Sequence, residues 1–268
     1  MIHRCLLLTL VFFYCTTQIS AQKTESPYEL TWKKDAPWMG LALGGSAAGF
    51  LIIQNKDGIS EEKVLSLDAD DVNWLDRFAA GSDNDNLSTI SDVPFAASFA
   101  VPFVFMLGDG VNDNFGQVSF MYIESLATTA ALFTLSAGLT NRIRPRAYSA
   151  SLPIDIRRKS SNTRSFYSGH VAAAATGTFF AAKIYNDFHP DSPSRWIVWT
   201  GAAIVPAAVG ALRIGAGQHF LTDVLLGYGM GMASGILIPE LHKKGNENIS
   251  FAPYMGRESN GIYLSYTF

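Results

Sequence analysis

Three short polar clusters, separated by apolar sequence, contain the residues of this chain that could do chemistry. They occupy residues 141–146, 165–170 and 213–223. The first and third supply arginines, whose planar guanidinium groups bind the oxygens of an anion in pairs and keep their charge. The second and third supply two histidines and an acid. Together these residue types suit phosphoryl transfer through a phosphohistidine.

The spacing within the clusters predicts how the residues cooperate. On a helix, His219 and Asp223 would lie one turn apart on the same face, so the carboxylate could accept a hydrogen bond from one imidazole nitrogen. The other nitrogen would then be the nucleophile, and His170 would be free to donate a proton. Ser168 and Gly169 precede an alanine-rich helical run, and the N–H groups at a helix start bind anions.

The three clusters also resemble a known signature. Type-2 phosphatidic acid phosphatases, whose superfamily includes bacterial acid phosphatases and vanadium haloperoxidases, carry Lys-x6-Arg-Pro, then Pro-Ser-Gly-His, then Ser-Arg-x5-His-x3-Asp. Matching residues occur here in the same order, over roughly residues 90–240. They are Arg144-Pro145, Ser168-Gly169-His170 and Arg213-x5-His219-x3-Asp223.

Three positions depart from that signature. Ala137 stands where the lysine is expected, Tyr167 replaces the proline, and Leu212 replaces the serine before the arginine. Arg142 either covers part of the missing positive charge or faces solvent. These departures keep open a non-enzymatic membrane protein with a degenerate site.

The resemblance implies a role for each matching residue. His219 would attack phosphorus, Asp223 would hold His219, and His170 would protonate the leaving oxygen. Neither a metal nor another cofactor is implied. The phosphate oxygens would be bound by Arg144, Arg213, Ser168 and Gly169, with Arg142 as a further candidate.

Composition limits the class of protein. With 48% hydrophobic and 16% charged residues, the 268-residue chain can form one sizeable core or several membrane spans. A net charge of −3 argues against a nucleic-acid partner. The implied partners are a membrane and a lipid phosphate substrate.

Residues 1–21 are typical of a secretory signal, and a retained N-terminal anchor is the alternative. Both cysteines, Cys5 and Cys15, lie within this segment, so the mature chain would have neither a disulfide nor a thiolate. We therefore predict a location in the cell envelope. The expected place is the inner membrane, with the site facing the periplasm, although the basic loop 142–164 favours the cytosol by the positive-inside rule.

The remaining pattern predicts an all-α, membrane-embedded bundle with a small C-terminal β-hairpin. The expected divisions are an N-terminal helical and acidic segment (22–90), a phosphatase core (91–244) and the hairpin (245–268). Residues 38–53 and 93–107 are shorter than the roughly 20 residues of a spanning helix, so a wholly globular domain is a second possibility. The apolar stretches are 38–53, 93–107, 118–139, 171–184, 196–212 and 220–238.

These observations together predict a metal-independent phosphatase. Its substrate would be a phosphomonoester or diphosphate, favoured to be that of a lipid because the chain is so apolar. A vanadate-dependent haloperoxidase could use the same pocket, with His219 coordinating vanadium. The missing lysine and the small size of the chain disfavour it.

Overall fold

The computed structural model describes residues 24–245, 249–255 and 260–266. The predicted signal segment lies outside these residues. Within them the chain is a helical bundle, which confirms the predicted all-α class. The long helices are α1 (Trp32–Gln54), α3 (Asp85–Met106), α4 (Phe115–Leu139), α6 (Gly169–Phe188), α7 (Arg195–Gly215) and α8 (Leu221–Leu241), and the short ones are α2 (Glu61–Leu65) and α5 (Ile154–Arg157).

Five helices of the described chain are long and apolar enough to cross a membrane. Two of them include the stretches that look short in sequence. Residues 38–53 lie inside the 23-residue α1, and residues 93–107 largely inside the 22-residue α3. Exposed apolar side chains such as Leu41, Val93 and Trp196 cover the outside of the bundle, as expected for a lipid-facing surface. The five segments are Trp32–Gln54, Asp85–Met106, Asn112–Leu139, Arg195–Gly215 and Leu221–Leu241.

The alanine-rich α6 occupies the centre of the bundle. It packs against α3, α4, α7 and α8, and most of its residues are buried. Small side chains let the neighbouring backbones approach closely. This packing fixes the start of α6, which carries the second polar cluster, against the other helices.

Packing of α8 on α6 requires a glycine at position 231. A Cβ added there would collide with the carbonyl oxygen of Ala172, whereas one added at Gly229 would meet nothing within 4 Å. We therefore expect Gly231→Ala to destabilise the protein by about 1–3 kcal/mol, as overpacking does, and Gly229→Ala to be neutral. Thermal unfolding in detergent would measure both. Equal melting temperatures for the two variants would contradict this packing.

The two termini of the described helical body meet at the end of the bundle opposite the polar clusters. Tyr28 donates its hydroxyl hydrogen to Asp187 (2.9 Å) and forms a backbone bridge with Lys243. His242 lies in a polar tail outside the three clusters, which predicts a surface position, and this prediction is wrong. Its side chain is buried, with Nε2 at 3.2 Å from Asp35 and 3.3 Å from Glu124, so it links α1, α4 and the end of α8.

Some predicted boundaries differ from the structure. The spacing of residues 72–78 suggests an amphipathic helix, but only 3₁₀ turns at Ala69–Asp71 and Arg77–Ala79 form, because Asp76 is buried by contacts elsewhere in the chain. Helix α3 includes residue 90, and the expected division at that residue stays a prediction. Strands β1 (Ile249–Met255) and β2 (Asn260–Tyr266) pair antiparallel.

Candidate active site

The polar clusters meet at one end of the bundle. This end contains the C-termini of α1, α4 and α7 and the N-termini of α3, α6 and α8. Backbone hydrogen bonds join its loops, from Arg146 to Gly217 (2.9 Å) and from Gly81 to Pro145 (2.9 Å). Segments far apart in sequence are thereby held around one cluster of side chains.

His219 is buried in the loop before α8. Its Nδ1 lies 2.7 Å from the backbone carbonyl oxygen of Ser165. Because a carbonyl oxygen can only accept, Nδ1 must carry the hydrogen and Nε2 keeps a free lone pair. Burial and the charges of Arg144 and Arg213 lower the pKa of His219 well below its ordinary value. The ring is therefore held in its neutral form.

Asp223 does not make the predicted hydrogen bond to His219. Helix α8 begins at Leu221, so the two residues do not share a helical face as the spacing suggests. Instead, the Asp223 carboxylate accepts hydrogen bonds from the Ser165 hydroxyl (2.6 Å) and the backbone N–H of Phe220 (3.0 Å). Since Ser165 also contacts His219, Asp223 positions the imidazole through Ser165.

Arg142 forms ion pairs with two acids. The sequence predicts either that it covers part of the missing positive charge or that it faces solvent, and neither alternative includes these ion pairs. One end of its guanidinium donates to Asp76 (2.6 Å), and the other donates to Asp223 and to the Thr222 hydroxyl (2.9 Å). Both carboxylates are completely buried. The charge of Arg142 is thus balanced within the protein, and the residue fastens the start of α8.

Arg144 and Arg213 lie close to His219 and are less completely paired. Arg144 donates to the side-chain oxygen of Gln218, and its Nε is buried without a partner. Arg213 reaches the hydroxyls of Ser88 (3.2 Å) and Ser91 (3.3 Å), and its Nε is likewise unpartnered. Burial, and after it the charges of the neighbouring arginines, lower the pKa of Arg144 to about 9.

His170 lies at the more open side of the site, on the first turn of α6. Its side chain is 33% exposed, and its Nε2 is 3.3 Å from the carboxylate of Asp92 on α3. The same carboxylate is 3.8 Å from Arg213. The ring packs against Phe95, with 4.2 Å between ring centroids. His170 is therefore held at the mouth of the arginine cluster.

Ser168 and Gly169 form the start of α6, as predicted. The Ser168 side chain is fully buried, and its hydroxyl has no partner among the described residues. The first N–H groups of a helix have no acceptor within it. A Cβ added to Gly169 would lie 2.8 Å from the ring of Phe133, so a larger residue would push this helix start out of place. The Ser168 hydroxyl and these N–H groups are available to an anion.

Sequence reasoning missed several residues that build this site. Asp76 and Asp92 lie in segments far from the three clusters, and nothing in their local sequence marks them. Ser165 stands at the start of the second cluster, three residues before Ser168, and its proximity to that motif was the available signal. Within the described chain, no group of three or more His, Cys, Asp or Glu side chains is arranged to hold a metal ion.

The fold and the site define an all-α membrane protein with a buried arginine–histidine site at one end of its bundle. A family model described as the PAP2 superfamily matches residues 119–247, which contain all three polar clusters. Over this segment the chain is similar to the PAP2 superfamily.

One solved structure also matches. It is the crystal structure of the first transmembrane PAP2 type phosphatidylglycerolphosphate phosphatase from Bacillus subtilis, with 19% sequence identity and a TM-score of 0.44. The match covers 81% of this chain and 99% of that chain. A search of curated proteins finds no significant match.

Proposed function

We propose that the protein hydrolyses a phosphomonoester or diphosphate of a lipid through a phosphohistidine on His219, without a metal. The match to the PAP2 superfamily model over residues 119–247 supports a phosphatase of lipid phosphates. One observation supports the mechanism above others. The Ser165 carbonyl fixes the Nδ1–H tautomer of His219, so that Nε2 has its lone pair free within the arginine cluster.

The first chemical step transfers the phosphoryl group to the protein. Nε2 of His219 attacks phosphorus, and the bond from phosphorus to the leaving oxygen breaks as His170 gives that oxygen a proton. Arg144 and Arg213, with the N–H groups at the start of α6, stabilise the charge on the equatorial oxygens. Asp223, through Ser165, keeps the attacking ring in place.

The second step returns the protein to its starting form. His170, now neutral, takes a proton from a water molecule while the water oxygen attacks phosphorus. The bond from phosphorus to Nε2 breaks, inorganic phosphate leaves, and His170 is protonated again. One substrate and one water therefore give one alcohol (or a shorter phosphate ester) and one phosphate.

The position of the site supports a lipid substrate. It lies where six long helices end, and the outside of the bundle is apolar. A phosphate at this end would be at the depth of a membrane's head groups, while the rest of a lipid could stay among the hydrocarbon chains.

Assays on the purified protein would test the proposal. We expect release of inorganic phosphate from a lipid phosphate in mixed micelles, faster than from a soluble ester. Vanadate should inhibit this release. Halide oxidation that depends on vanadate would support the haloperoxidase instead, and neither activity would indicate a degenerate site.

The helix bounds bear on the orientation of the site. Three candidate spans, α1, α3 and α4, separate residues 24–31 from Arg144, so the site and this N-terminal segment lie on opposite sides if all three cross. After a secretory signal the N-terminal segment would be periplasmic. This favours a cytosolic site, as does the basic loop 142–164. The predicted periplasmic site would require one of the three candidate spans not to cross.

Single cysteines would test this orientation. Ser151 lies in the loop at the site end, and Asp191 lies between α6 and α7 at the opposite end. In cells with only the outer membrane permeabilised, an impermeant thiol reagent should label Asp191→Cys and spare Ser151→Cys until lysis. These experiments would use a chain with Cys5 and Cys15 replaced. The reverse pattern would restore the periplasmic site, and labelling of both would favour the globular alternative.

A further inference from the structure

Ala137, at the position of the signature lysine, carries no charge, and the cation nearest to it, Lys56, is already engaged. The side chain of Ala137 is fully buried. Lys56, from the end of α1, donates to the carbonyl oxygens of Ala137 (2.8 Å) and Thr140, with Thr163 at 3.4 Å. These contacts satisfy carbonyls at the C-terminal end of α4. Lys56 therefore closes a helix end and has no donor to spare for a substrate.

Arg142, the other nearby cation, is also committed. Its two terminal nitrogens bind Asp76 and Asp223, and removing it from them would leave two buried carboxylates uncompensated. It cannot turn toward a phosphate without losing these ion pairs.

Arg164 differs from both in its surroundings. The backbone N–H of Ser165 donates to Arg142 (2.9 Å), and that of Arg144 donates to Asn162 (2.8 Å), so residues 162–165 run alongside 142–144. Arg164 is thereby held beside the arginine cluster. Its Nε is buried without a partner, and no described residue accepts a hydrogen bond from its side chain.

Two of the charged groups near Arg164, Arg144 and Lys56, are positive. Burial lowers the pKa of Arg144 most, followed by the charge of Arg213 and then by the charge of Arg164. Burial and the same guanidinium lower the pKa of Lys56. A partly buried guanidinium among cations, with no described carboxylate paired to it, is costly unless an anion joins it.

We propose that Arg164 is a further phosphate-binding residue, which takes over the role of the lysine that Ala137 replaces. Its guanidinium binds the same phosphoryl oxygens as Arg144 and Arg213. The positive charge that the signature lysine would place on α4 is thus supplied by Arg164, in the loop directly before Ser165. This inference rests on the proposed phosphatase function.

Three variants test the inference, with kcat/KM for a lipid phosphate and inhibition by orthovanadate as the readouts. Arg164→Ala should lower kcat/KM by about 10²-fold or more, the loss typical of one oxyanion donor, and should weaken vanadate inhibition. Adding Ala137→Lys to Arg164→Ala should restore at least a tenth of the wild-type activity, because it returns a cation to the signature position on α4. Lys159→Ala, which removes an exposed charge of the same loop, should change neither readout.

Folding and function can be separated. Monodisperse elution and an unchanged melting temperature establish that a variant is folded, and if Arg164→Ala fails this check, Arg164→Gln replaces it under the same criteria. Wild-type kcat/KM and wild-type vanadate inhibition in a folded variant would overturn the role of Arg164. If the wild-type protein releases no phosphate, the proposed function fails. Stabilisation by inorganic phosphate, present in wild type and lost in the variant, would then still support an anion site at Arg164, and equal stabilisation would exclude it.

Discussion

His219→Ala should lower phosphate release by about 10⁴-fold or more and abolish the phosphoenzyme. The expected loss is large because removing a nucleophile leaves only binding and the oxyanion donors to accelerate the reaction. Initial rates and acid-labile protein-bound phosphate would measure the two effects. The lowered pKa of His219 also predicts a pH dependence. The ring stays neutral at pH values below about 6.5, the ordinary pKa of histidine. Phosphoenzyme formation should therefore continue in mildly acidic solution.

A matched control is His189→Ala. His189 follows α6 at the opposite end of the bundle, where its Nδ1 lies 3.1 Å from the carbonyl oxygen of Tyr185. Its loss should leave turnover unchanged. Full activity in His219→Ala, or an equal loss in both variants, would contradict a nucleophilic role for His219.

His170→Ala should slow the reaction by an amount that depends on the leaving group. For an alkyl or lipid ester, loss of the general acid should cost about 10²- to 10⁴-fold. For an aryl ester with an acidic phenol, the first step should be nearly unaffected because that oxygen leaves without a proton. Pre-steady-state rates across a series of leaving groups would show this as a steeper dependence on leaving-group pKa than in wild type.

The same variant should also be slow to lose its phosphate, because His170 is proposed to take the proton from the attacking water. Phe95→Ala provides a comparison, since Phe95 packs on the ring of His170 without donating a proton. It should lower rates for all leaving groups by a similar factor. A uniform loss in His170→Ala as well would reduce His170 to a positioning residue.

The sequence was sufficient to predict that the three polar clusters lie together, but not which further residues join them or how the side chains contact one another. The three clusters and the apolar helices follow from local spacing, which a single sequence reports directly. The position of Asp223 depends on where α8 begins, and a difference of two residues moves the His219 hydrogen bond from Asp223 to Ser165. Boundaries of this kind are set by packing at the end of the helix rather than by periodicity.

Contacts across large sequence separations explain the other differences. Arg142 looks free in sequence because its acids, Asp76 and Asp223, lie 66 and 81 residues away. Asp92 reaches His170 only because α3 packs on α6. Such pairings are decided by the arrangement of helices, and no local pattern of residues encodes them.

Location of the covalent phosphate tests the mechanism most directly. In His170→Ala, an aryl phosphate should load the protein quickly and leave it slowly, so that the phosphoenzyme accumulates. Quenching in alkali, which preserves phosphohistidine, followed by peptide mass spectrometry would locate the modification. We predict phosphate on His219 and none on His189 or His242. Phosphate on a different residue, or continued turnover with no protein-bound phosphate at any time, would contradict nucleophilic catalysis by His219.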